Sequence, residues 1–312
     1  MTIASIDLGS NTVILLIAEY NHVSNQVKTV LNQYSAPRVS AGLKIGSAIS
    51  EEKVSKLNKV LKLYLDLAQK YYCQVVICKA TNAFRIASNS KQIVVDSLEK
   101  LKLKIEIISG EEEARLTFLG TVYPLRGNES SIVIDIGGGS TEIICGTNDK
   151  FHFKKSFNIG VVSITEKYFL HNPPTESEVK KADEFISFVT KEIVYSISPG
   201  VRTFAVAGTP TTLVCIKKGI RIFNEKIVDN YLLTIEDVIN TINKLRMLNK
   251  EEVSLRYGQV VEGREDVLLA GCLILYRLMM QLSLREITVS TKGLRYGSVI
   301  DYLITEDILK SS

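Results

Sequence analysis

The sequence is short of the features that mark several large classes of protein. Its three histidines, His22, His152 and His171, are scattered, so a histidine-rich metal cluster is not expected. Its five cysteines, Cys73, Cys78, Cys145, Cys215 and Cys272, include no C-x-x-C pair and read as reduced thiols of a cytoplasmic protein. No block of five or six like charges occurs, which argues against a DNA-binding tail. No apolar run approaches the ~20 residues that a membrane span needs. The N-terminus meets an acid at Asp7 and has no basic leader region, so it reads as a strand and not as a signal peptide.

What is there is an ordinary globular balance, 46% apolar and 23% charged, with a net charge of +4. That charge is chiefly a solvated surface, and it permits an anionic substrate. A length of 312 residues suits two domains better than one core.

Residues 3–6 and 13–18 read as strands around the turn Asp7-Leu8-Gly9-Ser10-Asn11-Thr12. A helix is expected over 51–71, where Val54, Leu57, Leu61, Leu65 and Ala68 recur at helical spacing. A strand over 75–78 leads to a helix carrying Arg85, and a strand over 105–108 feeds a helix from near Glu111. The pattern then restarts. Strands over 131–134 and 141–145 flank a glycine-rich turn, and Thr175-Glu176-Ser177-Glu178 is a capping box opening a long helix. A strand over 201–206 runs into Gly208-Thr209-Pro210, with Thr209 expected as N-cap and Pro210 as the first helical residue. Helices near 235–247 and 262–282, a strand over 287–290 and a last helix after Gly293 complete an α/β chain.

One echo carries weight. Asp7-Leu8-Gly9 and Asp135-Ile136-Gly137 share the pattern D-[LI]-G, each between two strands, which predicts two related domains with one loop apiece. The boundary is expected where Pro124, Gly127, Asn128, Glu129 and Ser130 cluster, giving domains over 1–124 and 125–297, with a terminal helix over about 298–312 packing back on the first.

The glycine-rich loop Gly137-Gly138-Gly139-Ser140-Thr141 lets backbone N–H groups converge on an anion, as a nest for phosphate does. A plain hairpin turn needs only one or two glycines. Asp135 and Glu142 flank this loop, and acids beside a phosphate site call for a cation such as Mg²⁺ between them. Gly9, Ser10, Asn11 and Thr12 serve equally as a turn or as a second anion loop, and Gly208 with Thr209 as a capped helix or a third. Glu111, Glu112 and Glu113 complement a helix dipole, and the same helix end keeps a carboxylate ionised for work as a base. Arg85 and Arg264 are the cationic candidates for phosphoryl oxygens.

Taken in order, Asp7-Leu8-Gly9-Ser10-Asn11, Ala80-Thr81-Asn82-Ala83-Phe84-Arg85, Ser109-Gly110-Glu111-Glu112-Glu113-Ala114-Arg115, residues 135–142, Gly208-Thr209 with Thr211-Thr212, and Gly293-Leu294-Arg295 resemble the motifs of the exopolyphosphatase / guanosine pentaphosphate phosphohydrolase family. The resemblance implies two ribonuclease H-like domains of the actin, sugar-kinase and Hsp70 superfamily, with an active-site cleft between them. It implies release of terminal phosphate from polyphosphate, guanosine pentaphosphate or both. It implies Glu113 as catalytic base, Asp135 and Glu142 as holders of Mg²⁺ and water with Asp7 as a further metal ligand, and Arg85 and Arg264 as phosphate ligands. Mn²⁺ is an acceptable substitute at such a site, guanosine tetraphosphate is a further candidate ligand, and a homodimer is a compatible assembly.

The sequence departs from the family pattern at Phe84 (usually leucine), at Ala207 (usually the first of two glycines) and at Tyr296 (often glutamate), the last expected to alter substrate contacts. Longer relatives carry a helical C-terminal extension, so processive action on long polyphosphate is not expected here. Two other readings use the same loops. An ATP-dependent small-molecule kinase of the superfamily would transfer phosphate to an acceptor, and a sensor of polyphosphate or guanosine polyphosphates would bind without turnover.

Overall fold

A computed structural model of the chain describes residues 1–123, 129–147, 151–193 and 201–309. The chain divides into two units, Met1–Tyr123 with Gly293–Ser312, and Pro124–Lys292. Of the residues expected at the boundary, Pro124, Gly127 and Asn128 lie outside the described residues, as does the chain end from 310.

In the first unit the β-branched N-terminal runs form β1 (Thr2–Leu8) and β2 (Val13–Asn21), continued by β3 (Gln26–Ser35). Helix α1 (Glu51–Lys70) follows, with two glutamates at its positive end and a lysine in its last turn. Then come β4 (Val75–Ala80), α2 (Asn82–Ile86), α3 (Ser90–Leu101), β5 (Glu106–Ile107) and α4 (Gly110–Val122). The sheet order is β3-β2-β1-β4-β5, antiparallel from β3 to β1 and parallel from β1 to β5. Tyr64 anchors α1 to this sheet: it is fully buried, with its hydroxyl 2.9 Å from the Val13 carbonyl and 3.0 Å from Ser35 Oγ.

The second unit repeats the plan. It contains β6 (Ser131–Ile136), β7 (Thr141–Gly146), β8 (Phe151–Phe157), α5 (Val161–Tyr168) and α6 (Glu176–Val189). These are followed by β9 (Arg202–Val206), α7 (Gly208–Lys218), α8 (Glu225–Val228), β10 (Tyr231–Thr234) and α9 (Ile235–Leu245). Helices α10 (Lys250–Tyr257) and α11 (Leu268–Gln281) and strand β11 (Glu286–Val289) complete it. Its order, β10-β11-β9-β6-β7-β8, places β8-β7-β6-β9-β11 in the same relation as β3-β2-β1-β4-β5. The capping box at Thr175 and Glu178 forms as the sequence predicts. Helix α11 is apolar nearly all round because it runs through the core, where Leu268, Ile274, Leu275 and Leu278 are buried.

Two sequence expectations need correction. Helix α7 starts at Gly208 with Ala207 at its N-cap, so Thr209 lies inside the first turn; it is buried, and its side chain fills the space that Gly271 leaves on α11. The helix expected from 262 begins only at Leu268, because Gly263 takes a left-handed φ of 72° and the preceding stretch is turn.

Helix α12 (Leu294–Thr305) belongs to the first unit and crosses α4 with backbones almost touching. A Cβ at Gly297 would overlap the Leu116 carbonyl, and one at Gly120 the Gly293 carbonyl, so both glycines are required by close approach.

Candidate functional site

The two D-[LI]-G turns are built alike. In the first, Leu8 pairs with Val13 and the Gly9 N–H donates to the Thr12 carbonyl at 2.9 Å. In the second, Ile136 pairs with Thr141 and the Gly137 N–H donates to the Ser140 carbonyl at 2.9 Å. A Cβ on either glycine would stand 3.1 Å from that same carbonyl.

The supports behind the turns differ. Behind the first, the Arg38 and Ser40 N–H groups donate to the Asn11 and Ser10 carbonyls at 3.1 and 3.0 Å. Behind the second, the Val161 and Val162 N–H groups at the start of α5 donate to the Gly137 and Gly138 carbonyls at 3.0 and 2.8 Å. Gly160 makes this approach possible, since a Cβ there would meet the Gly138 carbonyl at 2.5 Å. With the carbonyls held toward α5, the Gly138 and Gly139 N–H groups donate to no acceptor among the described residues, which is the arrangement an anion nest needs. Thr141 is fully buried and donates its hydroxyl to the Ile159 carbonyl at 2.7 Å, so that hydroxyl braces the loop. Ser10, Asn11 and Ser140 are buried, while Thr12 is half-buried.

The acidic motif sorts itself by orientation. Ser109 caps α4, its Oγ accepting from the Glu112 N–H at 3.1 Å. Glu112 takes a two-pronged bond from Arg115, which also reaches Asp301 on α12 at 2.7 Å, so Arg115 ties the two helices together and Glu112 orients it. Glu113 turns inward instead, with a side chain 12% exposed, and accepts from Arg85 at 2.7 Å; Arg85 also donates to the Ile108 carbonyl. Burial pushes the Glu113 carboxyl above the usual carboxylate range, and the Arg85 guanidinium opposes that shift.

From the turn before α11, Arg264 reaches the start of α7, donating to Thr212 Oγ1 at 3.1 Å and to the Gly208 carbonyl at 3.4 Å. Its guanidinium lies so close to Gly208 that a Cβ there would meet it at 2.6 Å. Ala207 just before has φ 73° and ψ −164°, a region that only glycine enters without strain. Its methyl group is therefore a strained occupant of a glycine position. Tyr296 is buried in the first unit's core with Val299 and Leu16, and its hydroxyl pairs with Thr29.

The acids test the fit of a metal. Asp135 and Glu142 stand directly opposite each other on β6 and β7, and Glu142 is 1% exposed. Like charges opposite each other on one sheet face repel, and a hard cation relieves this. Mg²⁺ suits such a pair because it takes one or two carboxylates and completes its shell with water and substrate phosphate. No three His, Cys, Asp or Glu side chains form a ready-made cage among the described residues. Asp7 has Ile14 as its cross-strand neighbour on β2, so the first unit places no second acid opposite it.

Sequence reasoning missed Arg38, Ser40, Gly160 and Ser156. The Ser156 hydroxyl donates to Glu142 Oε1 at 2.6 Å, and only strand register reveals it.

The chain belongs to the Ppx/GppA phosphatase family, whose pattern it matches over residues 16–306. It is 31% identical to a guanosine-5'-triphosphate,3'-diphosphate pyrophosphatase of Pseudoalteromonas translucida, over 98% of this chain and 61% of that protein. The crystal structure of the Aquifex aeolicus Ppx/GppA family member matches at 30% identity with a TM-score of 0.82, covering 98% of this chain and 99% of that one. An exopolyphosphatase structure from Cytophaga hutchinsonii matches at 25% identity and a TM-score of 0.87 over the full length of both. The chain spans 46% and 61% of the length of two curated relatives that it matches. The actin-like, two-unit α/β fold implied by the motifs is the fold of this chain. No helix among the described residues is long and apolar enough to cross a membrane.

Proposed function

We propose that this protein hydrolyses the terminal phosphoanhydride bond of inorganic polyphosphate or guanosine pentaphosphate, with water as the acceptor. The observation that carries the reading is Glu113, a buried carboxylate of raised proton affinity, held at 2.7 Å by Arg85 in a chain of this family. A base poised above the usual carboxylate range accepts a proton from water more readily than an exposed glutamate does.

In this reading Glu113 orients the attacking water and takes its proton. The Gly138 and Gly139 N–H groups, with the loop at 9–12 and the start of α7, hold the phosphate chain. Arg85 and Arg264 offset charge on the equatorial oxygens, and catalysis rests on positioning and electrostatics. Asp135 and Glu142 would hold Mg²⁺, which when bound neutralises phosphate charge and lowers the pKa of water.

The test is phosphate release from short polyphosphate, long polyphosphate and guanosine pentaphosphate, with Glu113→Gln alongside. The substitution is expected to cost about 10²–10⁴ in rate. Near-full activity in the variant would remove Glu113 from its role. Tight binding with no release by the parent protein would favour a sensor, and transfer to an added acceptor a kinase.

A further inference from the structure

We infer that Ser156 is a positioning residue for Glu142, a role that rests on the function proposed above. Asp135 on β6 pairs with Glu142 on β7, and Glu142 pairs with Ser156 on β8, so the three side chains form one row on one face of the sheet. Ser156 is the solvent-side end of that row, while Glu142 is buried. The 2.6 Å separation between Ser156 Oγ and Glu142 Oε1 lies in the range of a charge-assisted O–H···O⁻ bond. One carboxylate oxygen is thereby engaged from the β8 side.

A glutamate side chain has three rotatable bonds, and a short strand pair fixes only its Cβ. The serine bond restricts that freedom from the β8 side. The next residue, Lys155, points to the opposite face and pairs with Glu192. Groups of this kind, which aim a ligand without touching the substrate, typically change metal affinity 10–100-fold when removed.

The experiment compares Ser156→Thr with Ser156→Val. Both replacements are β-branched and suit a strand, and they differ only in hydroxyl against methyl. Direct Mn²⁺ binding without substrate, read by electron paramagnetic resonance, is measured beside kcat and KM for phosphate release. Ser156→Val is expected to weaken Mn²⁺ binding about 10-fold or more and to lower kcat with KM held, while Ser156→Thr stays close to the parent. Equal behaviour of the two variants would overturn the inference, as would parental Mn²⁺ binding in Ser156→Val. Glu142→Gln separates this failure from that of the underlying function. If Glu142→Gln retains parental activity and Mn²⁺ binding, the assignment of Glu142 falls and this inference with it. If Glu142→Gln loses both while Ser156→Val loses neither, only the inference falls.

Discussion

The turn after β1 and the turn after β6 share one backbone and diverge in everything attached to it. Each has an aspartate two residues before its glycine, and each closes with the same 2.9 Å bond from glycine N–H to the carbonyl three residues on. Opposite the aspartate, however, the first unit places Ile14 and the second Glu142. Behind the turn, the first unit uses an irregular strap at residues 38–40 and the second the N-terminus of a helix. Turn geometry follows from local sequence, whereas the chemistry of a turn depends on the strand across from it and the element behind it.

Exchanging the facing residues strains this comparison most. Glu142→Ile gives the second turn the first one's neighbour, and phosphate release is expected to fall about 10²-fold. Ile14→Glu puts a second acid opposite Asp7, and like charges so placed should lower stability by about 1 kcal/mol. A steady-state assay and a denaturant melt check both, and an unchanged rate in Glu142→Ile would mean that the paired acids are not what distinguishes the second turn.

The support behind the second turn comes next. Gly160→Ala drives a Cβ into the Gly138 backbone, and the helix or the loop must shift, at a cost of about 2–3 kcal/mol. Ser40→Ala removes a hydroxyl that has no hydrogen-bond partner and leaves the supporting N–H in place, so thermal melts should hardly move. Equal losses in the two variants would show that the strap and the helix act alike.

Ala207→Gly should stabilise the fold by about 1 kcal/mol or more, since glycine enters that backbone region freely. A melting temperature that fails to rise would mean that the strain is absorbed elsewhere.

The smallest expected effect is a displacement in pH. Protonated Glu113 cannot accept a proton, so activity should fall as pH drops through its raised pKa, above the ordinary carboxylate value. Arg85 lowers that pKa, and Arg85→Gln should therefore move the acid limb of kcat to higher pH. The sign for stability follows from the same shift. The folded state holds this proton more tightly than the unfolded chain does. The associated stability is full below the unfolded value and is lost as pH rises through the folded one. A limb that stays in place in Arg85→Gln would assign it to another group.

Legibility varied with range. The capping box at Thr175 and Glu178 was readable because a cap is made within four residues. The paired D-[LI]-G turns were readable because glycine and apolar strands specify a hairpin locally. Thr209 misled because threonine before proline is a good cap in isolation, yet Ala207 takes the cap and Thr209 packs into the gap at Gly271. That Tyr296 is buried and meets Thr29 through its hydroxyl is likewise visible only in the fold.

By itself the sequence determined the α/β class, the two like turns and the family, because these rest on periodicity and on motifs whose order survives without coordinates. Only the tertiary structure decided that Glu113 turns to Arg85 and that Arg115 reaches Asp301. It also decided that the second turn leans on α5 and that Ser156 reaches Glu142. The reason is distance along the chain. Glu113 and Arg85 are 28 residues apart and Ser156 and Glu142 are 14, so each pair meets through strand register and helix packing, which no short window of sequence encodes.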